Sequence, residues 1–250
     1  MTVTSALFDL TGRIAAVTGA NSGLGLAIAR GLHDHGATVV ALVRRPAAPE
    51  LEWLPAEQRV AIDVLDDLSA TGAIDAVVAA HGAIDVLVNS AGIGGRAAAV
   101  DYPEELWHSV IDTNLGGTFR VSRAAARHMI ERGRGSIINL ASIGGIAGYP
   151  GSVGYQASKG AVVQLTRSLA MEWAEHRVRV NAIAPSQFET TMSRSQWSED
   201  DTVRRFFDQR TPFGIGDVRD IVGPAVFLAS DAAAMVTGHI LAVDGGYLAQ

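Results

Sequence analysis

The 250-residue chain contains no cysteine. That excludes disulfides and thiolate metal sites, and it fits a reducing compartment such as the cytoplasm. The seven histidines, at 33, 35, 81, 108, 128, 176 and 239, show no metal-ligand spacing, so no metal is expected. Positive charge is in deficit: the formal net charge is −6. A nucleic-acid surface needs a clustered basic patch, so that class of partner is disfavoured. No uncharged apolar stretch reaches the ~18 residues of a membrane span. The first residues, MTVTSALFDLTG, lack the basic segment and apolar core of a secretory leader. The scarcest residue that is present is lysine. Of 20 basic side chains nineteen are arginine, and the single lysine is Lys159, in the stretch GYQASKG. A composition this tilted to arginine keeps lysine only where arginine does not serve.

Hydrophobic residues at 48% and charged residues at 18% place the chain in the globular class. The length suits one α/β domain over residues 1–250. Short apolar runs, at 14–19, 37–43, 60–64, 85–92, 136–142, 178–185 and 239–246, are mostly rich in Val, Ile and Ala and apolar on both faces. Such runs read as parallel strands covered by helices on both sides. Helix patterns fill 23–35, 67–80, 103–112, 114–132, 153–176 and 217–230. The alternation predicts a doubly wound α/β fold, about seven parallel strands with helices on both faces. The longest stretch without a strand, 186–212, is expected to form a mobile flap over a substrate.

The first run ends in Thr18-Gly19-Ala20-Asn21-Ser22-Gly23-Leu24-Gly25, and a helix pattern follows at once. Glycines permit a tight turn and bring backbone N–H groups close to a phosphate at a helix N-terminus. A turn after the first strand that opens the first helix is the context in which dinucleotides bind. The spacing is wider than the usual G-x-G-x-x-G.

This Thr-Gly-x-x-x-Gly-x-Gly turn resembles the cofactor turn of the short-chain dehydrogenase/reductase family, and the likeness continues along the chain. Asn89-Ser90-Ala91-Gly92 resembles the segment that closes the family's cofactor pocket, and Asp63-Val64 the pair that meets the adenine. Asn114, in DTNLGG, matches the family's helix asparagine. Ser142, Tyr155 and Lys159 match its serine and Tyr-x-x-x-Lys motif, with thirteen positions from serine to tyrosine. Pro185, Phe188 and Thr190 fall in the segment around the nicotinamide, although Ser186 stands where the family usually has glycine. The ending is similar to gluconate 5-dehydrogenase and ketodeoxygluconate reductase members, and also to 3-oxoacyl carrier-protein reductases. The resemblance implies a Rossmann domain, NAD(P)(H)-dependent interconversion of a ketone and a secondary alcohol, and a homotetramer.

It also implies roles. Tyr155 moves a proton to or from the substrate oxygen, Ser142 holds that oxygen, and Asn114 holds a water that relays protons from Lys159. Lys159 holds the ribose hydroxyls of the cofactor and acts on Tyr155. A phenol titrates near ~10, too high for a base at neutral pH. A cation within ~4–6 Å lowers that value, and Lys159 together with the positive nicotinamide of an oxidised cofactor would supply the lowering. Positions 155 and 159 are i and i+4 and share a helix face. Lysine is a compact point charge, whereas a planar guanidinium would displace the ribose or the phenol.

Cofactor contacts are assigned to Gly19, Asn21, Ser22, Gly23, Leu24, Gly25, Asp63, Val64, Asn89, Ala91 and Gly92, with Tyr155, Lys159, Pro185, Phe188 and Thr190 around the nicotinamide end. Val43 occupies the strand-end position where an acidic residue selects NAD in this family. Arg44 follows, and a guanidinium fork suits a 2′-phosphate. Ser22 replaces a frequent basic residue and pulls the other way. NADP(H) is favoured and NAD(H) remains open. Around a small polar substrate the candidates are Arg96, Tyr149, Gln187, Arg194 and Trp197, the arginines suiting the carboxylate of a sugar acid. A 3-oxoacyl carrier-protein reductase would instead need a basic surface such as Arg120, Arg123 and Arg127. A non-catalytic dinucleotide sensor is the third reading; it would not need Ser142, Tyr155 and Lys159 together.

Overall fold

The structure, a computed structural model, describes residues 6–191, 193–194 and 201–250. Seven strands form one sheet: β1 (Ile14–Thr18), β2 (Thr38–Val43), β3 (Arg59–Ala61), β4 (Val86–Asn89), β5 (Gly135–Leu140), β6 (Val178–Pro185) and β7 (Ile240–Val243). All pairings are parallel, in the order β3-β2-β1-β4-β5-β6-β7. Alternate side chains explain why the runs are apolar throughout. In β2, Val39, Ala41 and Val43 enter one apolar cluster while Val40 and Leu42 enter another. The first cluster is closed by helices α1 (Gly23–Asp34) and α7 (Val222–Ala229). The second is closed by α2 (Asp67–His81), α4 (Thr118–Arg132) and α5 (Val153–Trp173). Each fully buried Leu or Ile in these layers contributes roughly 1.5–3 kcal/mol.

Helix α3 (Glu104–Ile111) runs into a π-helical segment, Asp112–Gly117, before α4 begins. The sequence pattern had suggested one regular helix over 114–132. Gly116 and Gly117 account for the difference: a Cβ at Gly117 would lie 2.9 Å from the Val64 side chain. The glycines let the widened turn press against the end of the β3 loop. Wide turns of this kind are frequent at functional sites. The stretch 186–212 also holds a helix, α6 (Asp201–Asp208), whose Val203 and Phe207 are buried with Ile143 and Tyr247. Phe188, earlier in the stretch, forms a bridge to Gly216.

The strand order reverses after β1, which has β2 on one side and β4 on the other. In open α/β sheets the crevice at that reversal, outside the carboxyl ends of the strands, is where ligands bind. The glycine turn after β1 and Ser90-Ala91-Gly92 after β4 both open onto it. Among the described residues no helix is long and apolar enough to cross a membrane.

Candidate active site

The glycine turn is built to leave backbone exposed. Gly19 has φ +66°, and a Cβ there would stand 3.1 Å from the Ala91 backbone. A Cβ on Gly25 would collide with the Gly19 carbonyl and lie 2.9 Å from Ser90 Oγ. Thr18, at the end of β1, accepts the N–H groups of Ser90 and Ala91 at 3.0 Å each, which locks the two strand ends together. Ser22 caps α1 without a side-chain hydrogen bond, so its hydroxyl does not occupy the first-turn N–H groups. These groups, with the positive end of the helix dipole, form an anion cradle. The cradle fits the pyrophosphate of a dinucleotide. Arg44 and Arg45 follow β2 beside it; both are exposed and make no ion pair among the described residues.

A cleft opens next to the cradle, lined by residues including Leu24, Gly94, Arg96, Ser142, Tyr149, Tyr155, Pro185, Gln187 and Thr190. Ser142 follows β5 and accepts the Gly144 N–H at 3.0 Å. Tyr155 and Lys159 project from the first turns of α5. Lys159 is buried, donates to the Leu140 carbonyl at 2.6 Å and lies 5.7 Å from the centre of the Tyr155 ring. Burial pulls its pKa down to about 8. Burial also pushes the Tyr155 phenol up, an effect that the neighbouring Ser142 partly offsets. The lowering expected of Lys159 together with the positive nicotinamide of an oxidised cofactor is a separate effect, on top of this burial. The Lys159 donor itself is directed at the Leu140 carbonyl.

Asn114 stands in the π segment with every amide atom engaged. Its Oδ1 accepts Ile93 N–H at 2.9 Å, and its Nδ2 donates to the Ile93 carbonyl and to Ser158 Oγ at 3.0 Å each. Ser158 in turn donates to the Tyr155 carbonyl at 2.7 Å. Asn114 thus pins the loop after β4 to the helix that carries Tyr155 and Lys159. Gly92 makes room for it: a Cβ there would lie 3.0 Å from Asn114 Oδ1 and 3.7 Å from Lys159 Nζ.

Residues 19–248 match the family described as Enoyl-(Acyl carrier protein) reductase. Gluconate 5-dehydrogenase of Gluconobacter oxydans is 40% identical over 248 residues, covering 96% of each chain. Galactitol 2-dehydrogenase (L-tagatose-forming) of Cereibacter sphaeroides is 42% identical over 247 residues, 96% of this chain and 97% of that one. A solved gluconate 5-dehydrogenase of Burkholderia cenocepacia, in complex with NADP and tartrate, superposes with a TM-score of 0.90 at 36% identity, covering 99% of both chains. The chain belongs to the short-chain dehydrogenase/reductase family.

The fold brings most of the sequence-assigned residues of this dehydrogenase/reductase to one crevice. Thr190 meets the glycine turn, its Cγ2 3.3 Å from where a Gly23 Cβ would be. Val64 packs on Gly117, while Asp63 is exposed and accepts the Leu65 N–H at 3.0 Å. Asn89 turns its amide inward, donating to Ser122 at 2.8 Å and Asn139 at 2.9 Å. Arg96, Tyr149 and Gln187 line the cleft. Arg194 does not; it is exposed and pairs with Glu189 at 3.3 Å. Trp197 lies outside the described residues. Of the arginines weighed for a carrier surface, Arg120 pairs with Asp112 and Arg123 with Asp67. Sequence reasoning missed Thr18, Ser158 and the buried chain Ser122–Asn89–Asn139–Thr166 beneath the site. The legible signal was a polar residue inside an otherwise apolar strand, Asn139 in SIINLAS, because buried polar groups require partners.

Proposed function

We propose that this protein interconverts a ketone and a secondary alcohol on a sugar acid or similar polyhydroxy compound, with NADP(H) as redox partner. The observation that carries the substrate class is Arg96. Its guanidinium lines the same cleft as Ser142 and Tyr155 and has no carboxylate partner among the described residues. A forked cation there suits a substrate carboxylate. Relatives named for gluconate and galactitol fit the same class. The 3-oxoacyl carrier-protein reading is less supported, since Arg120 and Arg123 are spent on neighbouring aspartates. For the cofactor, the absence of an acidic residue at Val43 and the unpaired Arg44 beside the cradle favour the 2′-phosphate.

The nicotinamide, when bound, supplies or accepts the hydride. Tyr155, held protonated at neutral pH by burial, donates its proton to the substrate oxygen in reduction and recovers it in oxidation. Ser142 donates a hydrogen bond to the same oxygen as charge develops. Lys159 offers its ammonium to the ribose hydroxyls. Asn114 can hold a water at its main-chain carbonyl, which accepts the Thr118 hydroxyl at 2.7 Å, or at the second acceptor position of its Oδ1. The residues 186–212 serve as the substrate cover of a single catalytic domain, in a cytoplasmic homotetramer.

The test is nicotinamide absorbance followed over a panel of keto-sugar acids, uncharged ketoses and acetoacetyl thioesters, with NADPH and NADH side by side. Fastest turnover of a keto-sugar acid with NADPH is expected. Preference for the thioester would replace the substrate assignment, preference for NADH would remove the role of Arg44, and tight cofactor binding with no turnover of any ketone would favour a sensor.

A further inference from the structure

The loop between β5 and α5 forms one wall of the cleft, to which it contributes Ser142, Ile143, Tyr149 and Ser152. A second cavity, of about 380 Å³, also opens on this loop, and Ala97, Ala99, Pro150, Val153 and Ala157 make much of its lining apolar. Tyr149 lines both cavities, so it stands as the partition between them. Residues 146–152 form no helix or strand that would hold the partition in place. A side chain from the helix that carries Tyr155 and Lys159 does so instead. Gln156 Oε1 accepts the Tyr149 N–H at 3.0 Å, and its Nε2 donates to the Tyr149 carbonyl at 2.6 Å and to the Ser152 carbonyl at 3.3 Å. One amide thus satisfies both main-chain groups of Tyr149, as a neighbouring strand would. Gly144 leaves room for it: a Cβ there would lie 3.1 Å from Gln156 Cγ. The Tyr149 ring is braced by Phe207 of α6, edge-on, with centroids 5.1 Å apart and planes at 82°.

Two cavities with a shared wall make the position of that wall a determinant of substrate size. With Tyr149 clamped, a substrate in the cleft ends against it. With the clamp released, the cleft gains the apolar space beyond. We propose that Gln156 is a specificity-determining positioning residue, whose amide holds Tyr149 as the wall that confines the cleft to small polar ketones. This rests on the carbonyl reduction proposed above and adds the residue that limits its substrate. The clamp is directional. An amide offers an acceptor and a donor side by side, a carboxylate offers acceptors only, and a protonated carboxyl offers one of each again.

The test compares Gln156→Ala and Gln156→Glu with the wild type, using NADPH, on a keto-sugar acid and on 2-octanone. Gln156→Ala is expected to raise KM for the keto-sugar acid about tenfold, with kcat within about threefold. The ratio of kcat/KM for 2-octanone to that for the keto-sugar acid should rise at least about tenfold, because apolar space has been added to the cleft. NADPH affinity should stay within about twofold. Gln156→Glu should match the alanine variant at pH 8, where its carboxylate faces the Tyr149 carbonyl, and return toward the wild-type ratio at pH 5 as the carboxyl takes up its proton. That pH shift decides the matter even if Gln156→Ala does not fold. A ratio that stays at the wild-type value in Gln156→Ala, or that does not move with pH in Gln156→Glu, would overturn the assignment. The two readings fail differently. A Tyr155→Phe enzyme as active as the wild type counts against the proposed function, whereas an inactive Tyr155→Phe beside unmoved ratios in the Gln156 variants counts against this inference alone.

Discussion

At the phosphate cradle the crevice surface is backbone that glycines leave bare; on the side proposed for the substrate it is made of side chains. Gly19, Gly23 and Gly25 create the cradle by leaving out Cβ atoms that would strike Ala91, Thr190 and Ser90. Arg96, Tyr149 and Gln187 converge from three separate loops and give the other half its chemistry. Backbone geometry of the first kind tolerates little change and carries no information about a substrate. The second kind can be rewritten residue by residue without disturbing the sheet. Reaction class and substrate therefore reside in different material within one site.

The strongest way to break that contrast is to fill the cradle. Gly25→Val drives a branched side chain against the Gly19 carbonyl and Ser90. NADPH affinity, measured by fluorescence titration, is expected to fall about 100-fold, equivalent to nearly 3 kcal/mol of strain and lost contact. An unchanged affinity would show that the turn is not the phosphate site. Arg44→Ser comes next. Removing one charge-assisted contact to a 2′-phosphate costs about 2 kcal/mol. NADPH should bind about 30-fold more weakly while NADH stays within about twofold; equal weakening of both would mean Arg44 acts on something other than the phosphate.

Two smaller effects sharpen the substrate half. Arg96→Gln is expected to raise KM for a carboxylated substrate about tenfold while leaving an uncharged ketose nearly unaffected. Arg194→Ala, which breaks only an exposed pair with Glu189, should change KM by less than about twofold. A reversed ranking would move the carboxylate site. The smallest effect is in pH. Lys159 is pulled down to about 8 by burial, so its ammonium is present below that pH and is lost as the pH rises through it. NADPH affinity should accordingly decline about 3- to 10-fold from pH 7 to pH 9. Lys159→Met should bind more weakly at pH 7 and show no such decline.

The same contrast governs what could be read in advance. The sheet was legible because both faces of each strand are buried, which leaves uninterrupted runs such as ATVVALV. Tyr155 and Lys159 were legible because one helix fixes their spacing, and the glycine turn because local backbone demands glycine. The π turn was not, since the close approach of Val64 that requires glycine there comes from a distant loop. Helix α6 was hidden because its apolar face, Val203 and Phe207, finds partners only in Ile143 and Tyr247 far along the chain. Spacing likewise gives the nearness of Lys159 to Tyr155 but not the depth of burial of either group.

The most direct test of the account is Tyr155→Phe, with turnover and cofactor affinity measured on the same preparation. The account expects kcat for the preferred ketone to fall at least about 1,000-fold, with NADPH affinity within about twofold of the wild type. Retained turnover, or cofactor binding lost together with it, would contradict the assignment of Tyr155 as the proton donor.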